Sequence, residues 1–162
     1  MLRQIIMDHY ENPRNHELVE DDSYKKVNMD SETCIDNIDI QAKIENGVIE
    51  DIRFDGEACA ICTSSTSIMT ELLIGKTIDE ARVIIENYMN MIFEKDYDPE
   101  IIEEAIVFMN THKQANRIKC ATLGWKGIKT GLVRRKGGRS GESEAGRTGD
   151  TYPGKCKERT VL

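Results

Sequence analysis

The spacing of hydrophobic residues changes along this chain, and the change separates a strand-forming segment from helical ones. Apolar and polar residues alternate over residues 38–44, which is typical of a half-buried strand. Asn46-Gly47 follows, the strongest short signal for a hairpin, and residues 48–54 are predicted to form the returning strand. A short strand is also predicted over residues 23–29. These segments predict a small antiparallel meander.

Helical spacing dominates the rest of the chain. A first helix is expected to stop at Asn12-Pro13, a helix-breaking pair. Thr77 is predicted to cap a helix because Glu80 stands three residues later, the pattern of a capping box. Helices are expected over residues 2–10, 64–74, 77–93 and 99–109, and over a last segment that carries Cys120 and Leu132.

Composition changes near residue 134, although the length of 162 residues suits one domain. Residues 134–162 hold six of the 12 glycines and few apolar residues, so they bury too little surface to offset their ordering entropy. We predict one folded domain over residues 1–133 and a flexible Gly/Arg-rich tail over residues 134–162.

Charge and hydropathy exclude two classes of partner. The net charge is −7, and the tail is basic, so the first 133 residues are strongly acidic and offer no basic footprint for nucleic acid. No apolar run approaches the roughly 18–20 residues that span a bilayer. The N-terminal segment also lacks the pattern of a signal peptide. We expect a cytoplasmic protein with neither nucleic-acid nor membrane partners.

The five cysteines are the chain's candidate chemistry: Cys34, Cys59, Cys62, Cys120 and Cys156. An odd number in such a chain argues against a disulfide framework and favours metal binding or thiol chemistry. Cys156 lies in the predicted tail, where a functional role is not expected.

Three cysteines lie at the ends of predicted elements, where loops could present them toward one point. Cys34 precedes the hairpin, with Asp36 two residues later; Cys59 follows the hairpin, and Cys120 lies near the start of the last helix. Three thiolates and a carboxylate suit a closed tetrahedral Zn²⁺ site, and thiolates also hold iron–sulfur clusters. The spacing matches no simple zinc-finger pattern, so the residues alone leave open a shared metal site or scattered buried thiols.

Two further residues, one near Cys59 and one near Cys120, each have more than one interpretation. Cys62 makes a CxxC pair with Cys59, which could chelate a metal or form a redox disulfide. The preceding hairpin is not the βαβ context typical of a redox pair. Arg117, three residues before Cys120, could hold a negative thiolate or persulfide, or be a solvated charge.

Four segments resemble the U-type iron–sulfur cluster assembly proteins, the family of IscU, SufU and the N-terminal domain of NifU. They are MDHYENPRN near the N-terminus, TCID at 33–36, FDGEACAICTSSTSIMT at 54–70 and RIKCATLGWK at 117–126. Lys119 stands where IscU-type proteins have a histidine. The 61-residue gap from Cys59 to Cys120 matches an insertion typical of SufU-type proteins, which residues 77–112 would contain. Both features favour the SufU type.

The resemblance implies an α+β fold: a three-stranded antiparallel sheet with helices packed on one face and a metal site at the loop ends. It implies that Cys34, Asp36, Cys59 and Cys120 are the ligands of Zn²⁺, or alternatively of Fe or a [2Fe–2S] or [4Fe–4S] cluster. Cys34 is then the residue that accepts sulfur, and Arg117 supports it. Cys62 is expected to be a thiol beside the site rather than a ligand.

The function that follows is zinc-dependent acceptance and transfer of persulfide sulfur from a SufS-type cysteine desulfurase, for iron–sulfur cluster assembly. Such a protein resembles a sulfurtransferase that acts with the desulfurase rather than a stand-alone enzyme. Downstream assembly proteins or apo-proteins would receive the sulfur or cluster. Two alternatives stay open: a scaffold on which a cluster is built and transferred, and a non-catalytic binding module that zinc only stabilises.

Overall fold

A computed structural model of the protein describes residues 2–31 and 35–132. Cys34 and the predicted tail over residues 134–162, with Cys156, lie outside the described residues. The elements, in chain order, are helix α1 (Leu2–Glu11), strands β1 (Lys25–Asp30), β2 (Asn37–Glu45) and β3 (Val48–Glu57), and helices α2 (Ala60–Leu73), α3 (Ile78–Ile92), α4 (Pro99–Ile102) and α5 (Ala115–Gly127). Two short 3-10 segments, Glu103–Phe108 and Thr111–Lys113, connect α4 to α5, and a π-helical turn, Ile128–Leu132, follows α5.

The three strands form one antiparallel sheet in the order β1-β2-β3, as the alternating pattern predicts. The turn between β2 and β3 places Asn46 at φ 53° and Gly47 at φ 77°. Positive φ at both central residues is the requirement of the tight hairpin turns that favour Asn-Gly. The predicted hairpin is therefore confirmed together with its turn.

The helices pack on one face of the sheet and make the hydrophobic core with it. Ile38, Ile40 and Phe54 are fully buried on that face, and a Cβ at Gly127 of α5 would meet Met29 and Ile40. Burial of such side chains is the main favourable contribution to folding. The predicted α+β class, with its three-stranded sheet and one helical face, is confirmed.

Two helix boundaries differ from the sequence prediction for identifiable reasons. Helix α2 begins at Ala60 rather than Ser64, because Cys59 caps its N-terminus. The helix predicted over residues 99–109 ends as an α-helix at Ile102, because Glu103 adopts φ 43° and the chain continues as a 3-10 segment. The capping box of Thr77 and Glu80 at the start of α3 is confirmed.

Within residues 2–31 and 35–132, every helix is too short or too polar to cross a bilayer.

Candidate functional site

The pairing of β2 with β3 brings the first two described site residues together. Asn37 at the start of β2 pairs with Glu57 at the end of β3, so Asp36 and the chain leaving β3 lie at the same edge of the sheet. Gly56 makes this possible: its φ is 134°, and a Cβ there would collide with the backbone of Asn37. Only glycine adopts such a conformation readily.

Asp36 and Cys59 contact each other through backbone and side chain. The backbone N–H of Cys59 donates to Asp36 Oδ1 at 2.8 Å, and Cys59 Sγ lies 3.9 Å from Asp36 Oδ2. Asp36 is 1% exposed, so the bond supplies a buried carboxylate with a partner. One carboxylate oxygen thus fixes the loop, while the other faces the thiol.

Cys59 is the N-cap residue of α2, and its sulfur accepts from the backbone N–H of Cys62 at 3.4 Å. The free N–H groups and the dipole at a helix N-terminus favour a negative group. The sequence places the cysteine here because β3 ends two residues earlier and a run of small residues then begins the helix.

Cys120 reaches the same point from α5, which packs closely along α2. A Cβ at position 124 of α5 would overlap with the side chain of Thr66 in α2. Gly124 is therefore what lets the two helices approach each other closely. As a result, one donor atom each from Asp36, Cys59 and Cys120 lies within 4.8 Å of the other two. The structure brings together three of the four ligands that the resemblance implies; Cys34 lies outside the described residues.

The two thiols differ in their proton affinity. A hydrogen bond from Cys120 lowers the pKa of Cys59 to about 7, and the backbone N–H of Cys62 acts in the same direction against the effect of burial. The same contact with Cys59, burial and the negative charge of Asp36 all raise the pKa of Cys120. Of these two thiols, Cys59 is therefore the one that ionises first in the metal-free protein.

The three donors line an open cleft of about 850 Å³, far larger than a single ion requires. Its other lining residues are Ile35, Gln114, Ala115, Asn116, Arg117 and Lys119. Arg117 is exposed, as is Ile35 at 66%. The cleft is open to solvent, although Asp36 and Cys120 themselves are only 1% and 6% exposed.

Cys62 and His9 lie apart from this cleft. Cys62 is fully buried in the core, and its sulfur does not belong to the group of mutually close donors among the described residues. His9 is 1% exposed, with Nδ1 2.7 Å from Ser67 Oγ and Nε2 3.0 Å from Glu104 Oε1. A histidine satisfied in this way is a structural residue that ties α1 to α2.

Sequence reasoning did not find the residues that hold the two thiol-bearing helices together. Ser65 in α2 and Tyr88 in α3 both contact the carbonyl of Ala121, the residue after Cys120. Tyr88 offered a signal, because a tyrosine on the apolar face of an amphipathic helix needs a partner for its hydroxyl. The partner itself is not readable from the sequence.

Residues 1–139 match the family described as NifU-like N terminal domain, which covers most of the chain. The chain belongs to this family. The resemblance of the four sequence segments to U-type iron–sulfur cluster assembly proteins is thereby confirmed.

Similar proteins within the family carry two different descriptions. The chain is 37% identical over 139 residues to the zinc-dependent sulfurtransferase SufU of Bacillus subtilis, covering 85% of this chain and 93% of that one. It is 32% identical over 131 residues to the iron–sulfur cluster assembly scaffold protein IscU of Streptococcus pyogenes, covering 80% and 81%. The crystal structure of FiSufU from Fervidobacterium islandicum AW-1 superposes with a TM-score of 0.72 at 31% identity, over 76% of this chain and 90% of that one.

Proposed function

We propose that this protein is a zinc-dependent sulfur acceptor for iron–sulfur cluster assembly, which takes persulfide sulfur from a cysteine desulfurase. The observation that carries the proposal is the group of two thiols and one carboxylate that converge in an open cleft. The similarity to SufU of Bacillus subtilis, a zinc-dependent sulfurtransferase, supports the same assignment.

The donor set fits zinc. Zn²⁺ prefers thiolate sulfur, imidazole nitrogen and carboxylate oxygen in tetrahedral sites, and Asp36, Cys59 and Cys120 offer two sulfurs and one oxygen close together. When bound, the ion keeps its sulfur ligands deprotonated at neutral pH. We propose Cys34 as the fourth ligand, since it stands two residues before Asp36 in the sequence.

Cys34 is also the proposed sulfur acceptor. Its thiolate attacks the outer sulfur of the persulfide on the desulfurase; a new S–S bond forms on Cys34, the donor's S–S bond breaks, and the donor cysteine leaves as a thiolate. The exchange needs no external oxidant or reductant. Asp36, Cys59 and Cys120 would hold the metal, and the exposed Arg117 in the cleft would stabilise the anionic persulfide on Cys34.

The open cleft supports transfer between proteins. A desulfurase must bring its persulfide to the acceptor thiol, and the lining from Gln114 to Arg117 is exposed at the cleft wall. We propose a SufS-type desulfurase as donor and downstream assembly proteins or apo-proteins as recipients. Ile35, exposed beside the proposed acceptor, is available for apolar contact with such a partner.

A scaffold function is the second candidate, and the similarity to IscU of Streptococcus pyogenes favours it. The same thiols would hold a cluster instead of zinc. Lys119 at the cleft, in place of a further imidazole donor, favours the sulfur acceptor. Anaerobic purification distinguishes the two: tightly bound zinc supports sulfur transfer, whereas iron with acid-labile sulfide supports the scaffold.

The test combines a cysteine desulfurase, cysteine and the zinc-loaded protein, with sulfur uptake read by mass spectrometry. Cys34→Ala should abolish uptake and desulfurase stimulation, while Cys156→Ala, which removes a tail thiol, should behave as wild type. Normal uptake by Cys34→Ala would refute the role of Cys34. Zinc binding without any uptake by the wild-type protein would instead favour a module that zinc only stabilises.

A further inference from the structure

We infer that Ser65 and Tyr88 are positioning residues that fix Cys120 relative to Cys59 and thereby set the metal affinity of the site. The inference rests on the metal site of the proposed function. It concerns two side chains that do not line the cleft.

Both side chains bond to one backbone carbonyl. Ser65 Oγ donates to the carbonyl oxygen of Ala121 at 2.7 Å, and the hydroxyl of Tyr88 donates to the same oxygen at 2.8 Å. Trp125 Nε1 donates to Ser65 Oγ at 3.0 Å, so the serine is held from a second side. All of these groups are buried, where hydrogen bonds are strongest and unpaired groups are most costly.

The ring of Tyr88 is itself held in place. It stacks on the indole of Trp125 with a centroid distance of 3.8 Å and an interplanar angle of 9°. Burial raises the pKa of the Tyr88 hydroxyl, so it keeps its proton and acts as a donor to Ala121 at any physiological pH. Tyr88 is therefore held by the stacked indole and by the hydrogen bond that its hydroxyl donates.

The position of this contact along α5 matters for Cys120. Gln114 makes no side-chain cap at the start of α5, and residues 113–117 are exposed. The carbonyl of Ala121, immediately after Cys120, is a buried polar anchor of the helix. The thiol thus lies between the exposed first turn and this anchor.

Ser65 connects this contact to the second thiol, Cys59. Ser65 belongs to α2, the helix that Cys59 caps, so the Ser65–Ala121 bond connects the two helices that carry sulfur donors. Zn–S bonds of about 2.3 Å in a tetrahedral site require the two sulfurs to lie about 3.8 Å apart. Sites of this kind lose affinity when their ligands drift by roughly 0.5 Å.

Tyr88 adds a third helix to this arrangement. It belongs to α3, within the segment that the resemblance to SufU-type proteins assigns to an insertion. Its bond to Ala121 gives that segment a contact one residue away from a metal ligand. We infer that α3 contributes to the metal site through this hydroxyl as well as to the core.

The test compares four variants in the full chain: Ser65→Ala, Tyr88→Phe, the double variant that combines them, and the control Ser67→Ala. Ser67 lies on the same helix, is equally buried and loses the same hydroxyl, but its partners are His9 and the backbone of Arg14 rather than α5. Zn²⁺ affinity is measured by chelator competition, and Co²⁺ absorption reports the ligand geometry. Urea unfolding of each metal-free variant shows that it is folded where binding is measured.

We expect Ser65→Ala and Tyr88→Phe each to weaken Zn²⁺ binding about tenfold and to change the Co²⁺ spectrum. A tenfold loss of affinity is within the range found when residues that orient metal ligands are replaced. The double variant should lose less than the sum, because both hydroxyls bond to one oxygen. Ser67→Ala should lose stability but keep wild-type affinity and spectrum. Unchanged affinity and spectrum in the folded Tyr88→Phe variant would overturn the inference, whereas failure of the wild-type protein to bind zinc would instead refute the proposed function.

Discussion

Replacing Asp36 with asparagine should change metal binding and thiol reactivity in opposite directions. An asparagine oxygen can still accept the bond from the Cys59 N–H, which Asp36 Oδ1 accepts at 2.8 Å. Its amide group, however, replaces the carboxylate oxygen that lies 3.9 Å from Cys59 Sγ. The substitution therefore removes a charge and the oxygen that we propose as a metal ligand, while it keeps the acceptor for the Cys59 N–H.

The expected magnitudes follow from those two contacts. Zinc affinity should fall at least roughly tenfold, since the loss of a residue that only orients a metal ligand already lowers metal affinity by that factor. Stability of the metal-free protein should change by less than about 1 kcal/mol, because the buried N–H keeps its acceptor. Asp36→Ala, which leaves that N–H unpaired, should cost about 1–3 kcal/mol and serves as the contrast.

Thiol reactivity should rise in the same variant. The negative charge of Asp36 raises the pKa of Cys59, which is about 7, so its removal lowers that pKa and increases the thiolate fraction at pH 6. A thiolate of lower pKa is a weaker nucleophile, which offsets part of the gain, and we expect alkylation of Cys59 to accelerate about twofold.

The assay treats chelator-stripped wild-type and Asp36→Asn protein with iodoacetamide at pH 6 and follows the Cys59 peptide by mass spectrometry. Zinc competition is measured on the same samples. Slower alkylation of the variant, or unchanged zinc affinity, would refute the assignment of Asp36 as both a ligand and a negative neighbour of Cys59.

Three further predictions concern residues that pack or cap the helices around the site. Gly124→Ala forces a methyl group against Thr66, at a cost of about 1–3 kcal/mol that helix propensity offsets by about 1 kcal/mol. Adding Thr66→Ala should restore stability in urea unfolding, and a double variant no more stable than Gly124→Ala would contradict the proposed contact. Thr77→Ala breaks the capping box and should lower stability by about 1 kcal/mol without affecting zinc, so a change in zinc affinity would show a coupling that the structure does not predict. Cys62→Ser places a hydroxyl in the core and should lower stability by about 1–3 kcal/mol but retain one zinc per chain; a loss of zinc equal to that of Cys59→Ser would make Cys62 a ligand.

The sheet could be predicted from local signals. Alternation over residues 38–44 and the Asn46-Gly47 turn specify a hairpin, and the structure contains both. Local signals gave the wrong helix end where the backbone conformation of one residue stops the α-helix. The apolar spacing after Pro99 continues to Met109, but the positive φ of Glu103 ends the α-helix, and no residue type at that position announces it.

The proximity of the candidate ligands could be anticipated from the sequence, whereas the contacts that support them could not. Cysteines at element ends and the family resemblance named Cys34, Asp36, Cys59 and Cys120; the fold brings the last three together, and their role as metal ligands stays a prediction. The contact of Ser65 and Tyr88 with a carbonyl of α5 joins residues that are up to 56 positions apart. Such a contact depends on how three helices pack, and sequence spacing carries no information about it.

The measurement that tests the proposed function most directly is sulfur uptake at Cys34 by zinc-loaded protein. After incubation with a cysteine desulfurase and cysteine, peptide mass spectrometry without reductant should find one added sulfur atom on the Cys34 peptide. Uptake should depend on Asp36, Cys59 and Cys120 through their zinc. Sulfur that accumulates on another cysteine, or fails to transfer while zinc is bound, would contradict the assignment of this protein as a zinc-dependent sulfur acceptor.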